Sequence, residues 1–171
     1  HNVIETSQGG YLISSTVNLQ EWGNSNNWGK GSLIKTNDEG EIEWQNYYDG
    51  GSTDYLSGSW EDNRGCQLIE PIEELNGNYT IVGVTKDVAG PEYDYGWLLK
   101  VGSNGEEIES FYYGEELSRF HPNELLKSSN DNYILAGYSQ LFTLPGNGND
   151  VMIISVDENG NYCNFFETGF C

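Results

Sequence analysis

The sequence predicts an all-β protein made of three repeated four-stranded antiparallel units, arranged as β-propeller-like blades. Three observations carry this reading. One turn-and-strand motif recurs three times at nearly constant internal spacing, and 22 glycines accompany many Asn and Asp residues at turn-like positions. No stretch shows a sustained helical period of apolar residues. Units of about 50 residues with four short strands each are the sequence pattern of propeller blades.

The first shared block reads Ser7-Gln8-Gly9-Gly10-Tyr11-Leu12-Ile13-Ser14-Ser15, then Leu75-Asn76-Gly77-Asn78-Tyr79-Thr80-Ile81-Val82-Gly83, then Ser129-Asn130-Asp131-Asn132-Tyr133-Ile134-Leu135-Ala136-Gly137. Seven residues before each Tyr stands an aliphatic residue, Ile4, Ile72 or Leu126. The second block reads Leu33-Ile34-Lys35-Thr36-Asn37-Asp38-Glu39-Gly40, Leu98-Leu99-Lys100-Val101-Gly102-Ser103-Asn104-Gly105 and Ile153-Ile154-Ser155-Val156-Asp157-Glu158-Asn159-Gly160. Aromatic segments follow at Trp44–Tyr48, Phe111–Tyr113 and Tyr162–Phe166, and the Tyr-to-Gly separations are 29, 26 and 27 residues.

These blocks place the elements. Strand one ends near Ile4, Ile72 or Leu126, and a tight turn rich in Gly, Asn and Asp leads to strand two at the Tyr. Strand three carries the aliphatic pair, and strand four the aromatics after the Gly. The units span about 1–50, 66–114 and 121–169, in one repeat domain. Between strands two and three lie variable loops at 18–30, 86–95 and 140–149, all expected on one edge of the array. His121 precedes Pro122 in what reads as a linker into the third unit, where a structural role is expected.

Composition narrows the function classes. Apolar residues make up 36%, but 12 Tyr, 6 Phe and 5 Trp supply core bulk that a disordered acidic chain would lack. With 27 acids against 7 bases and a net charge of −20, the surface repels phosphate backbones and anionic membranes. Nucleic acid is therefore not an expected partner, whereas cations, basic proteins and neutral glycans are compatible. No run approaches the roughly 18 apolar residues of a membrane helix. The sequence opens His1-Asn2 without Met, as a processed or excised chain would.

Candidate chemistry is sparse. Cys66, Cys163 and Cys171 form no metal-type spacing; in an oxidising compartment Cys163 and Cys171 would pair across a terminal hairpin, leaving Cys66 free or bonded to another chain. An N-terminal His1 with His121 is a conceivable copper set, but nothing else in the chain resembles such a site. The pairs Glu73-Glu74, Glu106-Glu107 and Glu115-Glu116 read as solvated edges, since neighbours on a strand point to opposite faces. Asn37–Gly40 and Asp157–Gly160 are explained as hairpin turns, while Gly146–Asp150 is a weak calcium candidate, so no cofactor is assigned. Asn78-Tyr79-Thr80 fits a glycosylation acceptor at a tight turn. No nucleophile elbow, phosphate loop or zinc-protease motif is present, so the chain is not read as an enzyme. Trp22 and Trp28 fall in the long first loop, where large aromatics suit docking of a subunit or stacking of a sugar.

The motif carried by Gly9-Gly10-Tyr11, Leu33-Ile34-Lys35, Gly40, Ile42 and Trp44, and echoed by Tyr79, Leu99-Lys100, Gly105, Tyr133 and Gly160, resembles the β-propeller repeats of secreted bacterial and archaeal surface proteins. The third unit departs most, with Ser155 where the others carry Lys. The resemblance implies a secreted or cell-surface scaffold without naming an activity. Closed propellers have four to eight blades, so three blades leave two unpaired strand edges that invite pairing with another chain. The expectation is a non-catalytic structural protein forming a homo-oligomer or polymer, a filament or surface-layer subunit, with a carbohydrate-binding propeller closed by oligomerisation as the alternative.

Overall fold

The computed structural model describes residues 1–17, 29–50, 65–86, 94–114, 118–141 and 149–164. These form twelve strands: β1 Asn2–Glu5, β2 Tyr11–Val17, β3 Lys30–Thr36, β4 Ile42–Tyr48, β5 Cys66–Glu73, β6 Tyr79–Lys86, β7 Asp94–Val101, β8 Glu107–Tyr113, β9 Ser118–Lys127, β10 Tyr133–Leu141, β11 Asp150–Val156 and β12 Tyr162–Asn164. They make three antiparallel four-stranded sheets, β1-β2-β3-β4, β5-β6-β7-β8 and β9-β10-β11-β12. Each second strand begins at the motif tyrosine, as the repeat predicts.

One turn design serves all six tight hairpins. The residue opening each turn, Thr6, Asn37, Glu74, Gly102, Ser128 or Asp157, accepts from the N–H three residues on and donates its own N–H to the carbonyl four residues on. The residue three positions on has positive φ, and it is glycine at five turns, Gly9, Gly40, Gly77, Gly105 and Gly160. The sixth carries Asp131 at φ 64°. This is the three-residue hairpin loop closed by a left-handed residue, which is why the sequence spaces its glycines as it does.

The repeat extends to irregularities. The first strands of the middle and third sheets are bulged at the same place relative to the tyrosine, between the residues paired with Val82/Gly83 and with Ala136/Gly137. The bulge also accounts for a misplaced boundary: His121 and Pro122 lie within β9 rather than in a linker, since a bulged strand tolerates a proline that cannot donate to the ladder. The ends of the expected loops, Lys30, Lys86, Asp94, Tyr95, Gln140 and Leu141, likewise lie in strands.

The sheets stack face to face in chain order. Leu12, Leu33 and Tyr48 of the first meet Leu68, Tyr79, Ile81, Trp97, Leu99 and Val101 of the second in one core. Val82, Leu98 and Tyr113 of the second meet Phe120, Leu125, Tyr133, Leu135, Ile154 and Val156 of the third in another. The middle sheet is thus apolar on both faces, and β6 and β7 are buried almost throughout. Large side chains of the incoming first strand need room: a Cβ on Gly31 would lie 2.6 Å from Leu68, and one on Gly96 2.5 Å from Phe120. The three sheets are not closed into a propeller.

Candidate functional site

Because the sheets repeat, each has a front face towards the sheet before it and a back face towards the one after. The front of the middle sheet buries Tyr79 to 2% exposure and the front of the third buries Tyr133 to 5%, whereas the equivalent Tyr11 of the first sheet is 44% exposed. Val3, Ile42 and Tyr47 are exposed on the same front. At the other end, Leu126 occupies the position whose counterparts Ile4 and Ile72 pack into the two cores, and it is 64% exposed. Further along the same face Val151 stands, 70% exposed, where the other sheets carry Gly31 and Gly96. The molecule therefore ends in two apolar sheet faces, which are the candidate site.

Polar contacts seal the internal junctions. Between the first two sheets, Glu73 accepts from the Ser7 N–H at 2.7 Å and its hydroxyl at 2.8 Å. Its neighbour Glu74 points the other way and meets Lys127, Thr80 Oγ1 at 2.7 Å and the Tyr133 hydroxyl at 2.7 Å. Burial pushes the Glu74 carboxyl up, but these donors outweigh it and hold it below its ordinary value. The adjacent acids do split between faces as strand geometry requires, yet each binds a neighbouring sheet rather than solvent. Near the chain axis of the same junction, Glu70 accepts from the Leu125 N–H at 2.7 Å, and burial followed by the Glu124 carboxylate raises its pKa.

A second ionic cluster lies where β6 ends and β7 begins. Asp94 is buried, with His121 Nε2 at 2.7 Å, Arg119 Nε at 3.5 Å and Lys86 Nζ at 3.6 Å. The His121 ring stacks on Tyr138 at 4.8 Å. Burial favours the protonated acid, but the bond to His121 and the charges of Lys86 and Arg119 keep Asp94 below the usual carboxylate value. His121 is thus tied into the junction of the middle and third sheets through Asp94 and Tyr138. The Asp94 cluster escaped sequence reasoning because its members are non-local, with Asp94 and His121 27 residues apart, and the loop beside it does not resemble its counterparts in the other repeats. The one usable signal was scarcity: of seven bases in the chain, Lys86, Lys100, Arg119 and Lys127 all serve the junction between the middle and third sheets.

Cys66 is free and sits in the first core, with the Gly31 N–H donating to its Sγ at 3.2 Å and the thiol donating to the Tyr48 carbonyl at 3.1 Å. Burial pushes its pKa up to about 12, so the thiolate needed for exchange is withheld and a second chain cannot reach it without opening the core. Trp22, Trp28, Trp60, Cys171, Glu115, Glu116 and most of the Gly146–Asp150 loop lie outside the described residues, as does the Cys163 side chain. In the Asn78-Tyr79-Thr80 sequence, Thr80 is buried and bonded to Glu74 while the acceptor Asn78 is half-buried at the turn. Among the described residues, no three of His, Cys, Asp and Glu come together as a metal set, and no helix is long and apolar enough to cross a membrane.

No family model matches the chain, and no curated protein matches it. A solved structure, the crystal structure of a protein of unknown function from Bacteroides caccae, is similar with a TM-score of 0.51 at 14% identity over 95% of this chain. That likeness concerns the fold alone. The match takes up 43% of the Bacteroides chain, so the present chain spans under half its length.

Proposed function

We propose that this is a non-catalytic structural protein, secreted or carried on the cell surface, which works by self-association, its three sheets forming a propeller-like arc that further copies complete. A single observation carries the reading: the first and third sheets turn outward the same apolar positions that the middle sheet buries on both sides. Tyr11 is open where Tyr79 and Tyr133 are sealed, and Leu126 is open where Ile4 and Ile72 are packed. Burying an aromatic or large aliphatic side chain contributes roughly 1.5–3 kcal/mol, so two such faces left in water favour association. The resemblance of the repeats to secreted surface proteins supports the extracellular setting. Filaments, surface layers and closed particles are all built from such contacts.

Multi-angle light scattering on the purified protein at micromolar concentration tests the reading, with negative-stain microscopy alongside. Assemblies of two or more chains are expected. A monodisperse species at the chain mass of 19.1 kDa overturns it.

A further inference from the structure

We infer that the partner is a second copy of this chain, and that the two join reciprocally, the back of each third sheet against the front of the other copy's first sheet, closing a ring of six sheets. The inference rests on the self-association proposed above and specifies its faces.

The internal junctions serve as templates. At the junction of the first and middle sheets, Ser7 in the tyrosine turn holds Glu73 on the next first strand. Aligned on the tyrosines, the positions that would meet at the open junction are Ser129 and Glu5, the same two residue types, and both are exposed. At the junction of the middle and third sheets, Glu70 accepts from the Leu125 N–H. The corresponding pair at the open junction is Glu124 and the Val3 N–H, and Glu124 is exposed. One polar clasp from each internal junction thus recurs in sequence between the two ends, the second requiring the Val3 N–H to leave Asn2 Oδ1, to which it donates at 2.8 Å in the single chain.

The apolar positions match as well. Val3 aligns with Pro71 and Leu125, Tyr11 with Tyr79 and Tyr133, Ile13 with Ile81 and Leu135, and all of the later members are buried. Opposite them, Leu126, Ile134 and Ile153 align with back-face residues of the sheets before them. Val151 replaces the glycine that makes room for Leu68 or Phe120 inside the molecule.

Glycine packing points to the same absent neighbour. A Cβ on Gly105 or Gly160 would run into Trp44 and Asn46 or into Phe111 of the preceding sheet, but one on Gly40 meets nothing within 4 Å. Closure by a pair is favoured over an endless chain because it buries both outer faces in the smallest assembly, with the two-fold symmetry commonest among oligomers.

The test uses the full chain carrying Glu5→Cys or Ser129→Cys and a short bis-maleimide cross-linker at physiological salt, where the repulsion between two chains of net charge −20 is screened. The wild type gives the baseline for native cysteines. An equal mixture of the two variants is expected to yield a cross-linked dimer several-fold above that baseline, and each variant alone no more than the baseline. The double variant is expected to stop at about 38 kDa, twice the chain mass of 19.1 kDa. A ladder of higher species overturns closure. Cross-linking of Glu5→Cys with itself overturns the face pairing in favour of front-to-front contact. Assemblies that light scattering detects but that do not cross-link overturn the pairing while leaving self-association standing; a monomer throughout overturns both. Leu126→Glu supplies a second measurement, since it is exposed in the single chain: the mass falls to that of the monomer with the far-ultraviolet circular dichroism unchanged.

Discussion

The middle sheet and the first sheet carry the same motif and have different fates. Tyr79, Ile81 and Leu99 of the middle sheet lie in a sealed core, while Tyr11, Ile13 and Ile34, at the equivalent positions, form an open surface. The local sequence determines that each tyrosine opens a strand and turns its ring to the front; only the presence of a preceding sheet determines whether that ring is core. Identity of pattern thus reports which face a side chain takes, and neighbours decide what the face contributes to stability.

Substituting the equivalent tyrosines separates the two contributions. Tyr79→Ala removes a buried ring and leaves a cavity, at an expected cost of about 3–5 kcal/mol, read as a lower midpoint in chemical denaturation. Tyr11→Ala, measured on the single chain at low concentration, costs under about 1 kcal/mol, because the ring is already half in water. Its effect appears instead in the association constant. Equal losses for the two variants in dilute solution would show that the first sheet's front is covered within the monomer.

Much of this fold was legible because turn chemistry and strand period agree. The Gly-and-Asn turns require a left-handed residue at one position, the tyrosine marks the next strand, and the three copies align without a gap from Ile4, Ile72 and Leu126 through the strand that the tyrosine opens. What escaped was non-local. Pro122 reads as a linker residue unless the bulge opposite Gly137 is known. Glu73 and Glu74 read as solvated because nothing in their own segment announces Ser7 or Lys127. Cys66 gives no sign in sequence that it lies beneath Tyr48. The open faces were legible only as a count of blades too few to close, and the sequence pointed to strand edges where the structure presents whole faces.

The two junctions also differ in charge, and acid distinguishes them. Across the first junction the Glu73 carboxylate meets the uncharged Ser7, whereas the junction of the middle and third sheets contains Asp94 and Glu74, both held below their ordinary carboxylate values by basic and hydroxyl partners. A lowered folded value means stability that is fully present above the unfolded value near 4 and lost as pH falls through the folded one. Asp94→Asn is therefore expected to cost about 1–3 kcal/mol at pH 7. The gap to wild type should narrow progressively below about pH 4, as followed by thermal melts across pH. A gap independent of pH would mean that the aspartate contributes through shape alone.

The smallest difference between sheets lies in their turns. Gly77 in the middle sheet and Asp131 in the third hold the same left-handed position, at φ 80° and 64°. A residue with a Cβ is strained there by roughly 1–2 kcal/mol, and Asp is among the residues that tolerate it best. The Asp131 carboxylate recovers little, since it is largely exposed and its ion pair with Lys127 spans 3.6 Å. Lys127 is in any case held by Glu74. Asp131→Gly relieves the strain while admitting more freedom to the unfolded chain, for a net gain of about 0.5 kcal/mol and a midpoint a few degrees higher or less. The converse variant, Gly77→Asp, is expected to lose a similar or larger amount, because the middle sheet has no lysine at the position of Lys127 and sets Glu73 there instead. A loss on Asp131→Gly would instead assign the Lys127 pair a share in holding the third sheet against the middle one, and would make this turn part of the junction rather than its periphery.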